Sequence, residues 1–144
     1  ALVSDSFQNW RGMKEAGARR VKRDIPIDMR SVGFLSEQQR ADFISKGWIE
    51  ADAPEDTVNL KVFRNYLEQY LRGHSQVNPE LTLLVRELQP GAQGLPLEIY
   101  FFSNTTVWAE YESIQSEIME HALSVTPQFG LRVYQRSSDV EKYN

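Results

Sequence analysis

The sequence predicts an α+β domain on the ferredoxin-like βαββαβ plan, an antiparallel sheet with two helices on one face. Two observations carry that expectation. Leu60 to Arg72 and Val107 to Val125 place apolar residues at helical spacing. Between them lie two apolar runs, Leu81 to Leu88 and Leu95 to Ser103, joined by Gln89-Pro90-Gly91-Ala92-Gln93-Gly94. An alternating segment at Arg20 to Ile27 precedes this set and an apolar one at Leu131 to Gln135 follows it, giving the order β-α-β-β-α-β. The plan sets an architecture and leaves the activity open, because it hosts many unrelated functions.

Each element has its own signal. In Arg20 to Asp28, Val21, Arg23, Ile25 and Ile27 fall on one face and Arg20, Lys22, Asp24 and Pro26 on the other, the alternation of a half-buried strand. Pro26 cannot donate to a ladder, which favours an edge. Ser36 to Lys46 turns helical, with Phe43 and Ile44 following Phe34 and Leu35, and Gly47 offers a left-handed stop. Glu50 to Asp56 is acidic, contains Pro54 and reads as a loop. Asp56 or Thr57 is the expected cap of the next helix, whose inner stripe is Leu60, Phe63, Leu67 and Leu71. Asn104-Thr105-Thr106 is expected to cap the last helix. Its core stripe is Val107/Trp108, Tyr111, Ile114, Ile118 and Leu123, and Pro127 and Gly130 end it. The residues from Ser137 onward form a polar tail.

Composition narrows the function classes. A chain of 144 residues supports one ordinary domain, and 41% hydrophobic with 25% charged residues is ordinary for a globular fold. The net charge of −4 argues against nucleic acid as the main partner, since phosphate binding needs clustered cations. There is no cysteine, so disulfides, thiolate metal sites and cysteine nucleophiles are excluded. No run approaches the ~18 apolar residues that span a bilayer, and no signal peptide is visible. The first residue is Ala1, not Met, in keeping with a piece of a longer chain.

Catalytic patterns are absent. The two histidines, His74 and His121, lack a partner at ligand spacing, and a zinc site wants three or four ligands. No nucleophile elbow, Walker A loop or glycine-rich strand-to-helix turn occurs, and the acidic pairs read as solvated faces. No enzyme, cofactor or metal is expected. The one dense basic run, Arg19-Arg20-Val21-Lys22-Arg23, has three readings: a solvated strand face, contact with an acidic neighbouring subunit or domain, and nucleic-acid binding. The last lacks interleaved aromatic residues. Tyr100-Phe101-Phe102 would send Tyr100 and Phe102 to one face of a strand and Phe101 to the other, a core-plus-interface arrangement.

Several long strings go further. Asn9-Trp10-Arg11-Gly12-Met13 and Gly17-Ala18-Arg19-Arg20-Val21-Lys22-Arg23, leading to Ile27-Asp28, resemble the end of the β-domain in small-conductance mechanosensitive (MscS) channels. So do Phe63 to Leu71, Gly94 to Tyr100, Phe102 to Glu112 and Phe129 to Arg132, with the look of the YbdG-type miniconductance branch. The resemblance covers about Ser4 to Gln135. One departure is Ala18, where the family usually has a second glycine.

That resemblance implies the cytoplasmic carboxy-terminal part of a bacterial inner-membrane channel that opens under membrane tension during hypo-osmotic shock. It implies seven identical subunits whose soluble parts form a vestibule, attached to the membrane only through segments outside this chain. The implied organisation is the end of a small β-domain and linker at 1–18, a ferredoxin-like cytoplasmic domain at 19–136 and the tail at 137–144. Leu2, Val3 and Phe7 look like an orphan strand of the β-domain and are expected to be poorly packed on their own. The interface candidates are Trp10, Arg11, Arg19, Arg20 and Arg23. The transmembrane and β-domain regions of the same protein are the implied partners, and without them a monomer or weak oligomer is expected. Two rival readings of the fold are a ligand-sensing regulatory domain and a phosphate-handling enzyme. The second is disfavoured because the loop before Leu60, where an anion cradle would sit, is acidic.

Overall fold

The computed structural model describes residues 17–136. The predicted helices and the first three predicted strands are present in the predicted order, the second strand is shorter than expected, and the fourth is reduced to a single bridge. In β1 (Arg19–Ile27), Val21, Ile25 and Ile27 are buried and Arg23, between them, is exposed. Asp28 caps the 3₁₀ turn Met29–Ser31 that follows. Helix α1 (Glu37–Ser45) opens on a capping box, in which the Ser36 side chain accepts from Gln39 N–H and the Gln39 side chain accepts from Ser36 N–H.

Helix α2 (Asn59–Arg72) starts at Val58, not at Asp56 or Thr57, and no side chain caps it. Tertiary bonds take the place of a cap. Val58 bridges Phe34, Asn59 N–H donates to Gly33 C=O, and the Asn59 side chain accepts from Gly33 N–H. The same amide donates to the carbonyls of Ser31 and Phe129 at 3.0 and 3.1 Å, so one buried residue ties three segments together.

Strand β2 (Leu84–Glu87) is half the expected length, while β3 (Leu95–Ser103) is as predicted. The shortening has a local cause. Val77 already bridges Ser103, and Asn78 N–H donates to Phe102 C=O, so the far end of β3 is taken. Gly94 turns the hairpin with φ +91°, and a Cβ there would lie 2.6 Å from the Ile27 carbonyl oxygen.

Helix α3 (Trp108–Val125) buries Tyr111, Ile114, Ile118, Ala122 and Val125. The expected stripe was wrong at both ends: Val107, Trp108 and Leu123 are exposed. The inner face follows the 3.6-residue period from Tyr111, which reaches β1 by donating from its hydroxyl to the Arg20 carbonyl. The helix passes into the 3₁₀ turn Thr126–Phe129, closed by Gly130 at φ +70°.

The three strands are antiparallel in the order β1-β3-β2. The expected fourth strand at Leu131 to Gln135 is reduced to one bridge, Ile27 to Val133, flanked by Asp28 N–H to Arg132 C=O and Tyr134 N–H to Pro26 C=O. Pro26 has no N–H to return, so the ladder cannot extend past it. This segment still occupies the fourth-strand position, outside β1, as the ferredoxin-like α+β fold requires. The core lies between one sheet face and α2 with α3. It is built on Ile25, Leu97, Ile99 and Phe101 against Phe63, Leu67 and Ile118.

Candidate functional site

The sheet face turned away from the helices carries the polar side chains. Strand register sets them in rows: Arg20 opposite Phe102, Lys22 opposite Tyr100 with Leu84 beyond, and Asp24 opposite Glu98 with Arg86 beyond. Glu98 is 2% exposed and accepts from Arg86 Nε at 2.9 Å, with Lys22 Nζ at 4.0 Å. The two cations stay about half exposed, so the buried carboxylate is neutralised from the solvent side. Tyr100 and Phe102 meet edge to face at 5.9 Å, while Phe101 enters the core, as the alternation predicted.

The basic run does not form one cluster. Arg19 lies over the Tyr111 ring at 4.3 Å and Arg23 donates to Gln115 Oε1 at 3.4 Å, both on the α3 side. Arg20 turns to the other face, 6.0 Å from the Tyr100 ring. What the three share is the outer edge of β1, which has no strand partner from Arg19 to Ile25 among the described residues. None of the three has a carboxylate partner there. Trp10, Arg11 and the strand looked for at Leu2 to Phe7 lie outside the described residues.

Both histidines stand in one ladder of rings on the α2–α3 seam, which their separation in sequence concealed. Tyr66 Oη is 2.7 Å from His121 Nε2, Tyr70 stacks on His121 at 3.9 Å, and His74 Nε2 is 3.3 Å from Glu117. Burial, and then the neighbouring His74, hold the His121 imidazole below its usual range. Among the described residues no group of His, Asp or Glu is placed to hold a metal ion, and no helix is long and apolar enough to cross a membrane.

The acidic loop, whose Glu50, Asp52 and Asp56 are exposed as expected, also walls a cleft of about 750 Å³ between residues 48–58, the first turns of α2 and the near ends of β2 and β3. Its floor includes Trp48, Ile49, Val58 and Leu95, and Glu50, Asp52 and Asp56 stand on its lining. The Arg40 guanidinium donates to the carbonyls of Ala51, Ala53 and Pro54, which holds that wall in place. The acidic run was visible in the sequence. Its placement over an apolar floor was not, since the floor joins residues 48–58 to Leu95 at the start of β3.

Comparison with known proteins gives two findings. Residues 49–133, which is 85 of the 144 and more than half, match the family described as "Mechanosensitive ion channel MscS, C-terminal". The fold is also similar to the cryo-EM structure of Arabidopsis thaliana MSL1, with a TM-score of 0.55 and 14% identity. That likeness covers 85% of this chain and 36% of the MSL1 chain, and at such identity it is a likeness of fold.

Proposed function

The chain belongs to the mechanosensitive ion channel MscS C-terminal family, and from that premise we propose that it is the cytoplasmic vestibule domain of a tension-gated channel. The observation that carries the reading is the family match over residues 49–133, which takes in α2, both hairpin strands and α3. The full protein then sits in a bacterial inner membrane, as a ring of seven identical subunits of the YbdG-type branch. It opens when hypo-osmotic shock stretches the bilayer. The transmembrane helices supply the pore, and this domain supplies a folded wall beneath it and contacts between neighbours.

The domain's chemistry suits a wall. Its buried carboxylates are spent on pairing: Glu98 with Arg86 and Lys22, and Asp28 with Arg30 and Arg132. Arg19, Arg20 and Arg23 are left at an open strand edge, where a neighbouring subunit can reach them. The test uses the full-length protein in cells stripped of their own osmotic-release channels, with membrane patches held under graded suction. Tension-gated currents are expected. Correctly inserted protein that passes no current at any sub-lytic tension overturns the reading.

A further inference from the structure

We infer that the basic start of β1 in one copy docks on the acidic cleft beside α2 in the next copy, a head-to-tail contact that builds the ring. The inference rests on the channel reading above and adds to it the two surfaces that meet. Its basis is a mismatch of charge within one copy. Arg19, Arg20 and Arg23 have no carboxylate partner among the described residues, and Glu50, Asp52 and Asp56 have no cationic one. Glu87, also on the cleft, is already held by Arg64 at 3.6 Å, and Lys61 is the one cation on the lining, so the cleft stays acidic on balance.

The two patches cannot satisfy each other in the same copy. Arg19 pairs with Ser103 at one end of the sheet, and Ile27 pairs with Leu95, a cleft residue, at the other. Eight residue steps at ~3.3 Å each put Arg19 about 26 Å from that end, and four steps put Arg23 about 13 Å from it, beyond the span of an ion pair. The patches also flank β3 on opposite sides, since β1 bears the arginines and β2 bears Glu87. Complementary surfaces at opposite corners of one subunit are the requirement for a heterologous contact, which closes into a ring when the rotation per subunit allows.

The cleft fits an arginine-bearing strand in two further ways. Its apolar floor of Ile49, Val58 and Leu95 can take the aliphatic stems while the guanidinium heads reach the carboxylates on its wall. Its wall is held by Arg40 through main-chain carbonyls, so the wall's carboxylates stay unspent. The edge of β1 is open from Arg19 to Ile25 among the described residues, so no described strand stands between the arginines and a neighbour.

Cysteine cross-linking in the full-length protein tests the contact. This chain has no cysteine, and both chosen positions are exposed, so folding is not at stake. Under mild oxidant, the R20C/D52C double variant is expected to give a ladder of covalent dimers, trimers and higher species. Each single variant is expected to stay monomeric on a denaturing gel. A second set reverses charge in that cross-linking background: R23E, or D56K, lowers the cross-linking rate about tenfold, and the combination restores it. A ladder that stops at the dimer means a two-fold contact and overturns the inference. So does an intact ring, sized in its native state, that yields no covalent product; the channel reading then still stands on its currents. Loss of both ring and current in the unaltered protein strikes the channel reading itself.

Discussion

The two faces of the sheet differ in what they are made of and in what they do. The face under α2 and α3 is apolar at its centre, with Ile25, Leu97 and Phe101 at most 1% exposed, and Arg19 and Arg23 stand at its β1 margin. The opposite face buries a carboxylate, Glu98, beneath two half-exposed cations, and adds Arg20, Asp24 and Tyr100 around it. One face holds the fold by excluding water; the other is held by groups that water can replace. Stability is therefore expected to reside mainly on the covered face, with the open face and the β1 edge contributing less of it.

The largest test of that contrast is Phe101→Ala. Phe101 is fully buried, and its removal is expected to cost about 3–5 kcal/mol, read as a lower urea midpoint in equilibrium unfolding. Next comes the turn that decides which residues face which way. Gly94→Ala combines φ +91° with a Cβ 2.6 Å from the Ile27 carbonyl oxygen, and is expected to cost about 2 kcal/mol. A one-residue slip there would exchange the two faces, so the variant should also broaden the amide signals of β3.

On the open face, Glu98→Gln is expected to cost only about 1 kcal/mol, because Arg86 and Lys22 are exposed enough to rehydrate. A loss as large as that of Phe101→Ala would end the proposed division of labour.

The smallest effect is at the junction where β1 leaves the sheet. Hydrogen bonds from the Arg30 side chain and backbone, with Arg132 nearby, lower the Asp28 carboxyl from 3.8 to about 2. The folded state then binds fewer protons than the unfolded chain over that interval. The resulting stability is present above pH 3.8 and lost as the pH falls towards 2. Asp28→Asn is accordingly expected to flatten the acid limb of the stability profile, measured by thermal melts across that range.

What the sequence determined alone was the inner and outer faces of the central elements, which have a local period. The alternation of β1, the stripe Leu60, Phe63, Leu67 and Leu71, and the outward turn of Tyr100 and Phe102 all follow from 2.0- and 3.6-residue repeats, which neighbours in space do not alter. The family likeness was equally legible, in long strings such as Phe102 to Glu112. Tertiary structure decided the rest, wherever a backbone group had more than one partner to choose from. It shortened β2 because Val77 and Asn78 had already claimed the end of β3, and it reduced the last strand to one bridge because Pro26 has no proton to give. It also exposed Val107 and Trp108, set His74 beside His121 through Tyr70, and placed Glu50, Asp52 and Asp56 over an apolar floor. Those arrangements depend on which distant segments meet, and a local repeat carries no information about that.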